Sequence, residues 1–202
     1  RTNGNAFSDA TNSLAGIDLR LASSEFMGNR NLTYNLYGVK SFTGGIEGHD
    51  LTFGTEVNYP NDFLNFRLGY LQIGENFLPG LGFLPRKNIR NLYGSFMVGP
   101  RPKNSPILQI KSGIKYEYIS DLKNGGVQSA AIDLNYAAIS FLSGDMISLT
   151  SQYQVESLNN DFIIFNDYLI PVADYNFWRH SVQLTSAKRR NLWGSVKMAT
   201  GG

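Results

Sequence analysis

The chain has 202 residues, 42% of them hydrophobic and 13% aromatic, with 21 Gly and no Cys. Its net charge of +2 comes from 18 basic and 16 acidic residues, interspersed along the chain, so there is no electrostatic footprint for nucleic acid and no nucleic-acid partner is expected. Without Cys there is neither a disulfide framework nor a thiolate metal site, and no run approaches the roughly 18 to 20 consecutive apolar residues of a membrane-spanning helix.

The repeating signal is a two-residue alternation, the period of a β-strand with one face apolar and the other polar. Over 14–22, Ile17, Leu19 and Leu21 fall on one face and Asp18 and Arg20 on the other. A weaker version follows over 31–41. Over 49–59, Leu51, Phe53, Val57 and Tyr59 oppose Thr52, Gly54, Glu56 and Asn58, and over 64–70, Leu64, Phe66, Leu68 and Tyr70 oppose Asn65, Arg67 and Gly69. The segment 89–98 is again weaker. Over 108–118, Ile110, Ile114, Tyr116 and Tyr118 oppose Gln109, Lys111, Lys115 and Glu117, a charged face that no sandwich core accepts. A weak pattern over 130–141 carries Asp133 and precedes a strong one over 145–155, where Ile147, Leu149, Tyr153 and Val155 oppose Ser148, Thr150, Gln152 and Gln154. Two weaker segments, 178–186 with Arg179 and 192–199, close the series. The sequence thus predicts about ten strands, near the ~9–11 residues that cross a bilayer at a tilt.

The connections 23–30, 60–62, 99–106, 142–144 and 187–191 read as compact, and 42–48, 74–88, 119–126 and 156–174 as longer. Short turns on one side and long loops on the other characterise outer-membrane barrels. The expected fold class is therefore all-β, an antiparallel up-and-down transmembrane β-barrel. Aromatics near strand ends, Tyr59, Tyr70, Phe141, Tyr175 and Trp178, fit interfacial girdles. An even number of strands puts both chain ends on the long-loop side, whereas complete bacterial barrels keep them on the short-turn side. The expectation is a single β-barrel region over 1–202, a fragment of a larger barrel incomplete at both ends.

The polar registers nominate Arg20, Glu56, Arg67, Lys111, Lys115, Glu117, Asp133 and Arg179 as lumen-facing charges, and their mixed signs suggest interior ion pairs or a polar channel wall. Lys40 and Arg90 fall on lipid-facing registers at strand ends, where long side chains reach headgroups. His180 shares a face with Trp178, Val182 and Leu184. It reads as an interfacial residue near a girdle, the sharper alternative being a catalytic base. With His49 the only other histidine, and no G-x-S-x-G elbow, esterase chemistry has little support. Glu56, Glu117 and Asp133 are the carboxylates available for glycoside hydrolysis, with solvated lumen charges the plainer account. Asp161, Asp167 and Asp174 lack the spacing of a calcium loop, and no metal or cofactor is expected. The Asn31-Leu32-Thr33 sequon would be inert within a strand, and Gly80 and Gly82 are too few for a phosphate-cradling loop.

The most distinctive stretch is Tyr70, then Ile73, Gly74, Glu75, Asn76, Phe77 and Pro79, followed by Gly82, Phe83, Leu84, Pro85 and Arg86. It resembles the C-terminal barrel region of a family of bacterial outer-membrane proteins of uncharacterised function, whose N-terminal part is similar to family-nine carbohydrate-binding modules. Pro100-Arg101-Pro102, the pattern Ile170, Pro171, Asp174, Tyr175, Phe177 and Arg179, and the basic turn Lys188-Arg189-Arg190 extend the resemblance over about 51–202. The departure is Leu84-Pro85, where relatives often carry a more polar or basic residue before the Arg. The resemblance implies an outer-membrane location and a full-length protein several times this size; relatives are often labelled hydrolases because of the N-terminal module.

The expected function is a barrel acting as anchor, conduit or surface receptor, with the lipid bilayer as partner and glycans or other envelope proteins as further candidates. In it, loop 74–88 covers or lines the lumen, and Arg86, Lys87 and Arg90 form either a basic rim or part of a structural plug. The alternatives are a barrel-associated hydrolase acting on glycans or lipids, and a soluble β-sandwich binding module with its charged faces in water.

Overall fold

The computed structural model describes residues 2–4, 11–80, 82–164 and 168–202, and among these the regular structure is entirely β. The ten expected strands are all present: β2 (Thr11–Ser23), β3 (Leu32–Thr43), β4 (Leu51–Pro60), β5 (Leu64–Ile73), β6 (Ile89–Val98), β7 (Ile107–Asp121), β8 (Val127–Phe141), β9 (Met146–Ser157), β12 (Asp174–Thr185) and β13 (Ser195–Gly201). Three short strands were not anticipated: β1 (Thr2–Gly4), and the hairpin β10 (Phe162–Ile164) with β11 (Tyr168–Ile170). The main sheet runs β1-β2-β3-β4-β5-β6-β7-β8-β9-β12-β13. Each strand lies beside its sequence neighbour, except that β10 and β11 are set aside in the β9–β12 connection. The expected barrel closure is not present among the described residues. The sheet is open, with β1 and β13 at its two ends.

Loop lengths also depart from expectation, and at more than one place: the connection 44–50 between β3 and β4, expected to be long, is shorter than the nominally compact 24–31 between β2 and β3. The connection 122–126 is a tight turn and not a long loop, shorter than the nominally short turn 99–106. The Asp121 carboxylate accepts from the backbone N–H groups of Lys123 (2.8 Å) and Asn124 (3.0 Å), and Gly125 supplies a left-handed φ of 71°. This side-chain cap lets β7 and β8 run on almost to the turn.

The chain forms two compact units: Arg1–Asn58 with Leu68–Tyr93 and Ile119–Val127, and Tyr59–Arg67 with Gly94–Tyr118 and Gln128–Gly202. In the first, the apolar core is Ile73, Phe77 and Ile89, with Leu14, Val39, Leu71, Leu84 and Ile119 packed against it. By strand alternation Leu14, Val39, Leu71, Ile73, Ile89 and Ile119 all lie on the polar face of the sheet, an apolar patch at the end of the strands. Phe77 and Leu84 of loop 74–88 cover it.

In the second unit the registers give continuous cross-strand rows. On the apolar face Val196, Leu184, Ile147 and Ile139 align across β13, β12, β9 and β8, as do Met198, Val182, Leu149 and Ala137. On the opposite face Ala199, Ser181, Thr150 and Asn135 align, and next to them Gly201, Arg179, Gln152 and Asp133. The weak alternation over 130–141 has a cause: the register shifts between Asn135 and Ala137, so Tyr136 is the extra residue of a β-bulge and the parity changes within the strand. Ser112 Oγ pins the bulge by donating to the carbonyls of Asn135 (3.2 Å) and Tyr136 (2.8 Å).

Candidate functional site

The described residues invert the usual order of burial. Buried apolar residues are few: Tyr59, Ile73, Phe77, Ile89 and Ala187, whereas Asn12, Ser41, Asp50, Thr52, Asn91, Gln109, Ser120 and Ser151 are buried polar ones. Meanwhile Ile17 is 81% exposed, Met198 72%, Val196 58% and Leu21 55%. Isolated exposed apolar side chains are ordinary on a water-soluble protein, but contiguous apolar rows across several strands are not.

On the polar face of the first unit, Arg20, Asn35 and Glu56 form one cross-strand row through β2, β3 and β4. Tyr93 Oη donates to Glu56 Oε2 at 2.9 Å, and the Tyr93 ring lies over Gly69, where a Cβ would collide with it. Tyr37 covers its β4 neighbour Gly54 in the same way, with ring atoms 2.7 Å from where a Cβ would stand. Aromatics laid over strand glycines fill this face of the sheet without side-chain overlap.

Loop 74–88 is fastened to this face by backbone and amide bonds. Gly74 N–H donates to Leu51 O (2.9 Å), Asn76 N–H to His49 O (2.9 Å) and Asn76 Nδ2 to Gly48 O (2.8 Å). Gly74 abuts the His49 carbonyl so closely that no Cβ fits. Leu78 N–H donates to Ser41 Oγ (3.1 Å), Asn12 Nδ2 donates to Leu78 O (3.1 Å), and Asn88 Nδ2 donates to Asp121 Oδ2 (2.9 Å). Of the motif residues, Gly74, Asn76 and Phe77 therefore dock the loop, Arg86 is half-buried, Glu75 and Gly82 are exposed, and Phe83 is 92% exposed. Asn12 and Ser41, which hold the loop from the sheet side, carried no sequence signal because the contacts span 66 and 37 residues. Lys40 pairs with Asp50 at 3.3 Å and sits 5.5 Å from the Phe42 ring, so its charge is held by the chain itself.

In the second unit, the motif turns clamp their neighbours. Arg101 of Pro100-Arg101-Pro102 makes a two-point bond to Asp62, Nε to Oδ2 at 2.7 Å and Nη2 to Oδ1 at 3.0 Å, and Gln109 Nε2 adds a third at 3.1 Å. These bonds, Arg101 first, hold the Asp62 carboxyl down at about 2. Asp145 accepts from Ser143 Oγ (2.6 Å), Ala187 N–H (2.9 Å) and Arg190 Nη2. Its carboxyl is likewise lowered, chiefly by Ser143 and the Ala187 amide. Arg189 caps the Leu142 carbonyl at 3.2 Å.

The polar face of this unit holds Arg67, Lys111, Lys115, Glu117, Asp133 and Arg179. Lys115, Asp133 and Arg179 line one groove together with Lys197, a β13 residue that the weak alternation over 192–199 did not single out. On the apolar face, His180 Nδ1 and Ser151 Oγ are 2.6 Å apart. They are cross-strand partners in the middle of β9 and β12, not at a strand end as expected of a girdle residue, and Trp178 stacks on the imidazole at 5.8 Å between ring centres. Ser151 is only 3% exposed, and no carboxylate or amide among the described residues bonds His180 to orient it as a base. Ser151 was missed because its register with β12 is invisible in sequence. The described residues contain no group of metal-ligating side chains; Asp167 lies outside them.

The chain matches no family model, no curated protein and no solved structure.

Proposed function

We propose that this chain is part of the wall of a bacterial outer-membrane β-barrel that serves as anchor, conduit or surface receptor, its apolar face toward lipid and its polar face toward the lumen. The observation that carries this reading is the set of apolar rows across β8, β9, β12 and β13, exposed on β9, β12 and β13, opposite polar ones. In water such a face drives association; in a bilayer it is the surface that the solvent requires. Strands β2 to β9 and β12, of 10 to 15 residues each, suffice to span the hydrocarbon.

A bilayer tolerates no unpaired sheet edge, so on this reading the edges at β1 and β13 are paired in the membrane. Loop 74–88, bonded at Gly74, Asn76, Leu78 and Asn88, acts on this reading as a fixed cover of the lumen. Glycans and other envelope proteins remain the proposed partners through the motif resemblance alone.

The test is extraction of the full-length protein from the bacterial envelope. The proposal expects detergent to be required, and the unheated protein to migrate differently on a denaturing gel from the boiled one. Release by salt or alkali without detergent overturns it.

A second reading, a barrel hydrolysing lipid esters, has the Ser151–His180 bond in its favour. Against it stand the burial of Ser151 and the lack of an orienting group. Unchanged ester turnover in Ser151→Ala removes it.

A further inference from the structure

The polar face of the second unit contains a groove of about 520 Å³ in which charge is unbalanced. Lys115, Arg179 and Lys197 line it, with Asp133 the one carboxylate. None of these four makes a hydrogen bond or ion pair among the described residues, in contrast to the interior ion pairs that mixed signs along the sequence suggested. The register explains why. Arg179 faces Gln152, which in turn faces Asp133, so a neutral amide separates the acid from the guanidinium by a whole strand, roughly 5 Å per strand spacing. Lys197 faces Gln183. The three cations therefore line one groove without a bond to Asp133 or to any other acceptor among the described residues. Beside them, the Thr150 and Ser181 hydroxyls, 2.8 Å apart, supply neutral polar contacts.

From this arrangement we propose that the groove is a binding site for small oxyanions, carboxylates or phosphates, and that it makes the lumen side of this wall selective for anions. The inference rests on the proposed barrel reading, since it needs the polar face to be wet. Arg179 supplies the planar fork suited to two oxygens of one group, and Lys115 and Lys197 supply point charges from β7 and β13. Rings of Arg and Lys are the general device for anion and phosphate pores. Asp133 opposes occupancy, which keeps binding weak enough for release.

The experiment is calorimetric titration of the full-length, detergent-folded protein with inorganic phosphate in one arm and succinate in the other. Saturable binding is expected in at least one arm, and which arm saturates assigns phosphate or carboxylate chemistry. Lys115→Gln, Arg179→Gln and Lys197→Gln each weaken binding, Arg179→Gln by about tenfold, the scale of a charge-assisted hydrogen bond. Asp133→Asn tightens it. The gel mobility of the unheated variants reports that they are folded. No saturable heat in either arm, or affinities that the three Gln variants leave within about twofold of the parent, overturns the proposal. Failure of the barrel reading is distinguishable, because it appears as an apolar face exposed to water whatever the titration gives.

Discussion

At the scale of single residues, the most consequential contacts join turns. Asp62 and Arg101 are 39 positions apart, yet their two-point bond, with Gln109, fastens the β4–β5 turn to the β6–β7 turn. Because the folded carboxyl lies near 2, below its ordinary 3.8, the stabilisation is fully present above about pH 4 and is lost as the pH falls through about 2. The difference in thermal midpoint between the parent and Asp62→Asn is thus expected to be constant above pH 4 and to shrink toward pH 2. A difference that does not change over that interval contradicts the assignment. The motif Pro100-Arg101-Pro102 was legible in the sequence, as was the basic turn with Arg189 and Arg190. What each arginine holds was not, because the partner is fixed by strand register, and register is a property of the assembled sheet. The same holds for Ser151, brought to His180 from 29 residues away.

At the scale of elements, all ten alternating segments became strands, because a half-buried antiparallel sheet imposes a period of two on its own sequence. The exceptions have local causes. Tyr136 inserts a bulge that inverts the alternation in β8, Asp121 caps a turn expected to be a loop, and the β10–β11 hairpin is too short for its pattern to stand out from the loop that carries it. For loop 74–88 the sequence marked importance but not role: Phe77 is buried against Ile73 and Ile89, so much of the motif is docking surface. The two faces of β9 make opposite predictions under substitution. Leu149, 44% exposed, lies mid-strand on the apolar face, and Leu149→Arg is expected to cost about 2–4 kcal/mol in lipid vesicles. Gln152→Arg on the polar face is expected to cost less than about 0.5 kcal/mol, as surface changes do. Urea titration of refolding into vesicles measures both. Were the apolar face in water, Leu149→Arg would also be nearly neutral.

At the scale of the whole molecule, the two-residue alternation, the cross-strand apolar rows and the scarcity of buried apolar side chains are the observations on which the proposed membrane reading rests. The chain contains no Cys, so a nitroxide can be attached at one introduced cysteine at a time. The measurement that tests the central claim most directly is such a scan through β9, Met146–Ser157, in the full-length protein reconstituted in phospholipid. Relaxation by oxygen, which partitions into hydrocarbon, is compared with relaxation by a water-soluble nickel chelate. The account predicts that positions 147, 149, 151, 153 and 155 respond to oxygen and 148, 150, 152 and 154 to nickel, alternating residue by residue. Uniform access of the nickel chelate to both sets would place the apolar face in water and contradict the account.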